Sequence, residues 1–242
     1  MSPTLSVVAA VLNEAENIRP VCEEMATALA ALQSWEVVFV DDGSTDGTVE
    51  ALLAARDVLP NLRVVSHDRR CGKSAALRTG IEAARGTWIA TIDGDGQDDP
   101  REIPPMLALA LEAGNHTPGP LVVGVRLKRN DNISRRFATR FANGLRRRLL
   151  RDGCPDTGAP MKLFRREDFL RLPQFEGVHR FLPALFQHYG SELICKPVHH
   201  RARLHGASKY TNLNRAIVGI RDMMGVIWLQ NRTRIPGGTR ER

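Results

Sequence analysis

At 242 residues, 43% apolar and 25% charged, the chain has the composition of a soluble globular protein with length for one large core. No run of about eighteen apolar residues occurs, so no helix is expected to span a bilayer, and the first residues read as a strand rather than a signal peptide. The net charge of +7 hides an asymmetry: residues 1–125 carry 9 basic and 18 acidic side chains, whereas 126–151 carry 10 and 1, and 201–242 carry 9 and 2.

Along the first half, β-rich runs alternate with stretches rich in Ala, Leu, Glu and Arg. Strands are predicted at Leu5–Leu12, Glu36–Asp41, Leu62–Ser66, Thr87–Asp93 and Leu121–Val125, with helices over Glu14–Gln33, Thr45–Val58, Gly72–Ala84 and Pro100–Ala113. This alternation predicts βαβ units and a mostly parallel sheet, whose ligands bind beyond the carboxyl ends of the strands. Asn13-Glu14, Asp41-Asp42 and Asp93-Gly94-Asp95 all fall at such ends.

The second half is less regular. A helix is predicted from about Ile133 to Leu150, with Ile133, Phe137, Phe141, Leu145 and Leu149 on one half and Arg135, Arg136, Arg140, Arg146 and Arg147 on the other; Arg148 breaks the pattern. It suits either an anionic membrane surface or a core-facing helix with a solvated basic back. A second amphipathic stretch, Leu213–Trp228, places Leu213, Ile217, Ile220, Met224 and Ile227 on one stripe, for which ordinary packing is expected and lipid contact is the alternative. The tail from Arg232 to Arg242 has no apolar anchor and is expected to be mobile.

Several motifs carry chemistry. A buried strand emptying into Asp93-x-Asp95-x-Gln97 delivers hard oxygen ligands of the kind Mg²⁺ and Mn²⁺ favour, although Asp-Gly pairs are also turn chemistry. Asp42, second of a doubled carboxylate, can accept hydrogen bonds from a nucleobase or ribose, while the Gly, Ser and Asp that follow supply a turn and a helix cap. Gly72-Lys73-Ser74 imitates the end of a phosphate-binding loop, but the glycine that loop requires is His67, leaving Lys73 as a helix start or a phosphate contact. Asp156 offers a third carboxylate, as acid/base group, acceptor-site residue or cap. His205 to Tyr210 clusters donors suited to a diphosphate. His199 and His200 lack a partner at metal-ligand spacing and are treated as incidental. Cys22, Cys71, Cys154 and Cys195 are scattered, as expected of reduced, mostly structural thiols in a cytoplasmic protein.

The ordered set Val11–Ile18, Asp41–Thr48 and Gly72–Gly80 resembles inverting family 2 glycosyltransferases. Asp93 to Pro100 and Gly206-x-Ser208-Lys209-Tyr210 resemble the dolichyl-phosphate mannose synthase branch, which glycosylates polyprenyl phosphates. The likeness spans residues 5 to about 230. Ala10 and Leu12 replace the usual proline and tyrosine before Asn-Glu, and many members of the branch continue into transmembrane helices.

The resemblance implies an α/β GT-A (Rossmann-like) fold, with a mostly parallel sheet flanked by helices and C-terminal amphipathic helices. Residues 1–230 are then one domain, with a nucleotide-sugar half (1–125) and an acceptor and membrane-facing half (126–230), followed by a tail at 231–242. It further implies that Asp93, Asp95 and Gln97 hold one Mg²⁺ or Mn²⁺ against the diphosphate of a GDP- or UDP-linked sugar, with Asp93 and Asp95 as the catalytic pair. Glu14 and Asp42 grip the nucleoside, and Ser208 and Lys209 close over the diphosphate. Arg126, with Arg135 and Arg136, holds the acceptor phosphate, and Asp156 positions it.

The implied partners are a polyprenyl phosphate and an anionic membrane surface, with the protein peripheral on the cytoplasmic face. A separate integral membrane partner and a homo-oligomer are left open. Three rivals remain: a transferase using a soluble saccharide or protein acceptor, a nucleic-acid-binding module, and a membrane-associated scaffold that has lost catalysis. The second is disfavoured because only 5% of residues are aromatic, too few for stacking platforms, and the third because the acidic triplet is intact.

Overall fold

A computed structural model describes residues 3–114, 116–126, 149–150, 152–201 and 212–235, with backbone alone for 212–217. The helix predicted from Ile133 lies outside the described residues except for its end, Leu149 and Leu150, which are helical.

Seven strands form one sheet: β1 (Leu5–Val11), β2 (Trp35–Asp41), β3 (Leu62–Ser66), β4 (Trp88–Asp93), β5 (Leu121–Arg126), β6 (Lys162–Arg165) and β7 (Leu193–Val198). Their order is β3-β2-β1-β4-β6-β5-β7. The pairs of β1 with β2 and β4, β2 with β3, and β5 with β7 are parallel; only β6 runs antiparallel to its neighbours. The mostly parallel expectation therefore holds. Strand β6 escapes sequence reading because a four-residue Lys-Leu-Phe-Arg run has neither the length nor the alternation of a clear strand. Flanking helices are α1 (Ala15–Leu29), α2 (Thr48–Ala54), α3 (Lys73–Ala83), α4 (Ile103–Glu112), α5 (Arg166–Leu170), α6 (Leu182–His188) and α7 (Asn212–Arg232).

Parallel strands covered on both faces must be apolar on both sides. Val7, Ala9, Val37 and Phe39 pack against Ile18, Val21 and Met25 of α1 and Ile103 and Met106 of α4. On the other face Val8, Val38 and Val40 meet Ala76, Leu77 and Ile81 of α3, in a core that also takes in Phe164, Phe169 and Phe186. Helix α1 stops four residues before the expected Gln33, because the chain must turn through Ser34 to enter β2 beside β1. Helix α7 includes Asn231 and Arg232, which sequence reading assigned to the tail, and residues 236–242 lie outside the described residues.

The register sets the functional edge. Opposite the last residues of β1, Val11 pairs with Asp41 and Ala10 with Asp93. The two acidic strand ends thus flank the Asn13-Glu14 turn from either side.

A candidate active site at the carboxyl edge of the sheet

The turn after β1 and the loop after β2 are stapled together. Asn13 adopts a positive φ of 52°, which asparagine tolerates better than most residues. Its backbone N–H donates to Ser44 Oγ (2.8 Å), and its Oδ1 accepts from Thr45 N (2.8 Å). Glu14 N donates to Thr48 Oγ1 (2.9 Å), while its carboxylate accepts from Asn17 Nδ2 (2.6 Å). Gly43 is required by contact: a Cβ there would lie 2.7 Å from the backbone of Arg69 and Arg70.

That contact presses the 67–72 loop against Asp42. The buried Asp42 carboxylate accepts from Cys71 N and Gly72 N, both at 2.8 Å, and meets His67 Nδ1 at 2.8 Å. His67 Nε2 in turn meets Thr79 Oγ1 at 2.9 Å. Asp42 therefore lies at the expected strand end, but its oxygens are engaged in organising the loop that starts α3. The sequence offers it as a nucleoside ligand, with a plain turn as the alternative.

The metal-ligand candidates follow β4. Gly94 permits the approach of this strand end to β1, since a Cβ would fall 2.3 Å from Val11 Cγ1. Asp93 ends β4 with its backbone N–H on Asp98 Oδ2 (3.1 Å), and Asp95, 6% exposed, accepts from Gln97 N (3.1 Å). Lys73, at the first turn of α3, forms an ion pair with Asp93, the two side chains being 33% and 30% exposed. Both sequence readings of Lys73 missed this partner, because twenty residues and a helix separate the two.

A strap from the end of β7 holds the loop from the other side. Arg201 N donates to Gln97 O (2.8 Å), Gln97 Nε2 donates to Arg201 O (3.3 Å), and His200 bridges Asp98. Arg201 also binds Glu24 and Asp99, each at 2.8 Å. The Arg101 guanidinium, with Arg201 behind it and burial opposing, holds Asp99 well below the usual carboxylate range. His199 meets Glu102 Oε1 at 3.0 Å. The histidine pair, set aside as incidental to metal binding, thus serves to hold the loop.

On the acceptor side Arg126, the last residue of β5, makes a fork-to-fork pair with Asp156, Nε to Oδ2 at 2.7 Å and Nη2 to Oδ1 at 2.9 Å. Burial lowers the pKa of this guanidinium and Asp156 more than restores it, so it stays charged. Two predicted residues, thirty positions apart, are one unit. Beneath them Lys162 is 3% exposed and donates to Ala159 O, while Thr91 Oγ1 donates to Pro160 O at 2.6 Å. Burial, then nearby Lys73, pushes Lys162 down to about 8.

Glu14, Asp42, Asp93 and Asp95 lie at the strand ends expected from the sequence, and Gln97, Arg126 and Asp156 share that edge. Arg135, Arg136, Ser208 and Lys209 lie outside the described residues. Of the cysteines, Cys22 and Cys154 are buried, but Cys71 and Cys195 are exposed, so only half fit the structural expectation.

The donor set fits a hard divalent cation. It is all oxygen, and one of its carboxylates already draws in an ammonium as counter-charge.

The model of the glycosyl transferase family 2 matches residues 6–172. A dodecaprenyl-phosphate galacturonate synthase of Rhizobium johnstonii is 35% identical over 241 residues, which are 96% of this chain and 69% of that protein. An undecaprenyl-phosphate 4-deoxy-4-formamido-L-arabinose transferase of Salmonella typhimurium is 31% identical over 210 residues, covering 86% of this chain and 62% of its own length. Among solved structures, glucosyl-3-phosphoglycerate synthase of Mycobacterium tuberculosis in complex with Mn²⁺, UDP and glucosyl-3-phosphoglycerate aligns with a TM-score of 0.68 at 23% identity, over 97% of this chain and 82% of that one. A mannosyltransferase of Pyrobaculum calidifontis in complex with GDP-Man and Mn²⁺ aligns with a TM-score of 0.61 at 23% identity, over 98% and 66%. These likenesses bear out the GT-A-like fold.

Proposed function

The chain belongs to glycosyl transferase family 2, and on that premise we propose that it transfers a sugar, with inversion, from a GDP- or UDP-linked donor to a polyprenyl phosphate at the cytoplasmic face of a membrane. The observation that carries this reading is the meeting of Asp93, Asp95 and Gln97 with a charged, forked Arg126–Asp156 pair at one sheet edge. One set suits a donor diphosphate with its metal, and the other an anionic acceptor. The names of the two relatives supply the acceptor class, and the Mn²⁺, UDP and GDP-Man of the solved structures supply the donor class.

Asp93, Asp95 and Gln97 would hold Mg²⁺ or Mn²⁺, which when bound supplies charge stabilisation for the departing nucleoside diphosphate. Lys73, released from Asp93, is then a second cation for the same diphosphate. Glu14 and Asp42 face the nucleoside, Asp42 chiefly by keeping the 67–72 loop in place. Ser208 and Lys209 would cover the diphosphate. Arg126, with Arg135 and Arg136, holds the acceptor phosphate, and the Nη1 edge of the Arg126 fork is the part not committed to Asp156.

The acceptor phosphate is already an anion near neutral pH, its second pKa being about 6. Its oxygen bonds to the anomeric carbon as the bond to the donor diphosphate breaks, and the electron pair leaves with the nucleoside diphosphate. No proton need be removed from the acceptor. Asp156 therefore acts by orienting Arg126 and not as a base.

Thermal unfolding with GDP, UDP and their sugars, each with and without Mn²⁺, tests the donor half. One nucleotide should raise the midpoint, and more so with metal, because a ligand that binds only the folded state stabilises it. Transfer to polyprenyl phosphate tests the acceptor half. Turnover only with a water-soluble acceptor would move the assignment to the soluble-acceptor rival.

A further inference from the structure

Cys71 is an exposed thiol that the proposed reaction does not use, and its neighbours are an imidazole and a carboxylate. One ligand atom each from Asp42, His67 and Cys71 lie within 4.8 Å of one another. Asp42 is buried, His67 partly buried and Cys71 exposed, so the trio opens to solvent on its sulfur side.

Backbone contacts fix where the three residues sit. His67 N donates to Asp41 O at 2.9 Å, one residue beyond the pairing of Ser66 with Asp41. Cys71 N and Gly72 N both hold Asp42 at 2.8 Å, and Gly43 lets the backbone of Arg69 and Arg70 come close. The far ring nitrogen of His67 meets Thr79 Oγ1 at 2.9 Å, which leaves Nδ1 facing the carboxylate. A metal-bound histidine characteristically has its second nitrogen held in this way, and a ligating carboxylate is itself hydrogen-bonded. The outer contacts that a metal site needs are therefore built into this loop.

We propose that Asp42, His67 and Cys71 form a site for a Zn²⁺-class cation, separate from the all-oxygen set of Asp93, Asp95 and Gln97. A thiolate, an imidazole and a carboxylate together suit a borderline-soft ion, whereas Mg²⁺ and Mn²⁺ favour oxygen alone. Bonds of about 2.0–2.3 Å at tetrahedral angles put ligand atoms roughly 3.4–3.6 Å apart. His67 Nδ1 and Asp42 Oδ1, 2.8 Å apart, then open by roughly half an ångström, and the sulfur closes by about an ångström at most. Cys71 gives up only a weak Sγ contact with Arg69 O (3.3 Å) to do so. Binding releases the thiol proton to solvent, because the thiolate is the ligand. Three protein ligands leave the fourth position to water.

Asp42 is also the carboxylate assigned to the nucleoside side of the donor site. An ion there recruits its Oδ1 and draws Cys71 across it, so occupancy should weaken donor binding. Zn²⁺ thus inhibits at the nucleoside end, whereas Mg²⁺ or Mn²⁺ serves the diphosphate end. Only this consequence rests on the proposed function; the metal site rests on the trio itself.

The test uses the full chain, kept reduced, in a large excess of Mg²⁺ that fills the oxygen set. Co²⁺ is the probe, because a cobalt–thiolate bond gives a charge-transfer band in the near ultraviolet. Wild type should show the band, and stoichiometric Zn²⁺, the stronger binder, should abolish it. Asp95→Asn and Cys195→Ser should keep it, and Cys71→Ser should lose it with an unchanged unfolding midpoint. Cys71→Ser should also weaken Zn²⁺ binding by at least about a hundredfold, more than loss of an outer contact costs. No band in wild type, a band that survives in Cys71→Ser, or one that Asp95→Asn or Cys195→Ser removes, overturns the proposal. Midpoint shifts by GDP and UDP are then measured with and without Zn²⁺. Zn²⁺ should reduce the shift in wild type and not in Cys71→Ser; a wild-type shift unaffected by Zn²⁺ overturns the competition. If neither nucleotide shifts the midpoint while the cobalt band behaves as expected, the proposed reaction fails and the metal site stands.

Discussion

The two edges of the sheet each bury carboxylates, and they treat them in opposite ways. At the amino edge Glu36 accepts from Ser6 Oγ (2.7 Å), Arg85 N (2.6 Å) and Arg63 Nη1 (2.8 Å), and Ser6 Oγ in turn accepts from Gly86 N (2.8 Å). Burial alone would push Glu36 up, but these bonds bring it below its ordinary value. The network closes on itself. At the carboxyl edge Asp41, Asp42, Asp93, Asp95, Asp98 and Asp99 crowd around strand ends, and carboxylates outnumber the described cations that meet them. A buried acid by itself therefore signals nothing about chemistry. An excess of acids over the described cations at one edge points to a cation or cationic ligand there.

That contrast can be broken by substitution. The largest effect should come from Asp95→Asn, which should cut transfer by at least about a thousandfold, as for loss of a group acting on charge in the transition state. Its unfolding free energy without metal should stay within about 1 kcal/mol of wild type, because the amide keeps the shape and an acceptor oxygen for Gln97 N while one charge leaves a crowd of carboxylates. Denaturant titration beside a transfer assay checks both halves, and a large stability loss would place Asp95 with Glu36.

At the amino edge, Glu36→Gln should behave in the reverse sense. Loss of the charge opposite Arg63 and of one acceptor position should cost about 2 kcal/mol, with transfer per folded molecule unchanged. Equal losses of stability and turnover would erase the distinction between the edges. Asp156→Asn lies between them. It leaves Arg126 charged but less well held, so the acceptor KM should rise roughly tenfold while donor binding, read by thermal shift, does not move.

The smallest effect concerns Lys162, whose folded-state pKa of about 8 lies below the value of about 10.4 in an unfolded chain. Below pH 8 both states are protonated, and the fold bears the cost of a buried ammonium. Between the two values the folded state sheds its proton first, so this group's contribution rises with pH. Lys162→Met should accordingly add roughly 2 kcal/mol at pH 7, and the gain should shrink as pH rises from 8 towards 10. A pH series of denaturant melts reads this directly, and a gain that grows with pH would show that the ammonium is stabilised where it lies.

Much of the architecture was legible in the residues. Strand β4 announces itself by apolar, β-branched residues ending in Asp93-Gly94-Asp95, and four further strands fall within a residue or so of expectation. Strands β6 and β7 did not, since pairing with β4 and β5 makes them strands more than their own pattern does. Ile220 and Met224 of α7, expected to pack, turn outward at 57% and 65% exposed, and this was hidden for a related reason. A helical stripe shows that a helix has two sides, but not which side its neighbours take.

By itself, the sequence determined the alternation of strands and helices, the carboxylates at strand ends, and the division into an acidic half and basic segments, because each depends on residue type and local spacing. Only the tertiary structure decided which of those groups are neutralised. Lys73 on Asp93, Arg126 on Asp156 and Arg201 on Asp99 join residues twenty to about a hundred positions apart, and a charge pair depends on distance in space, not along the chain.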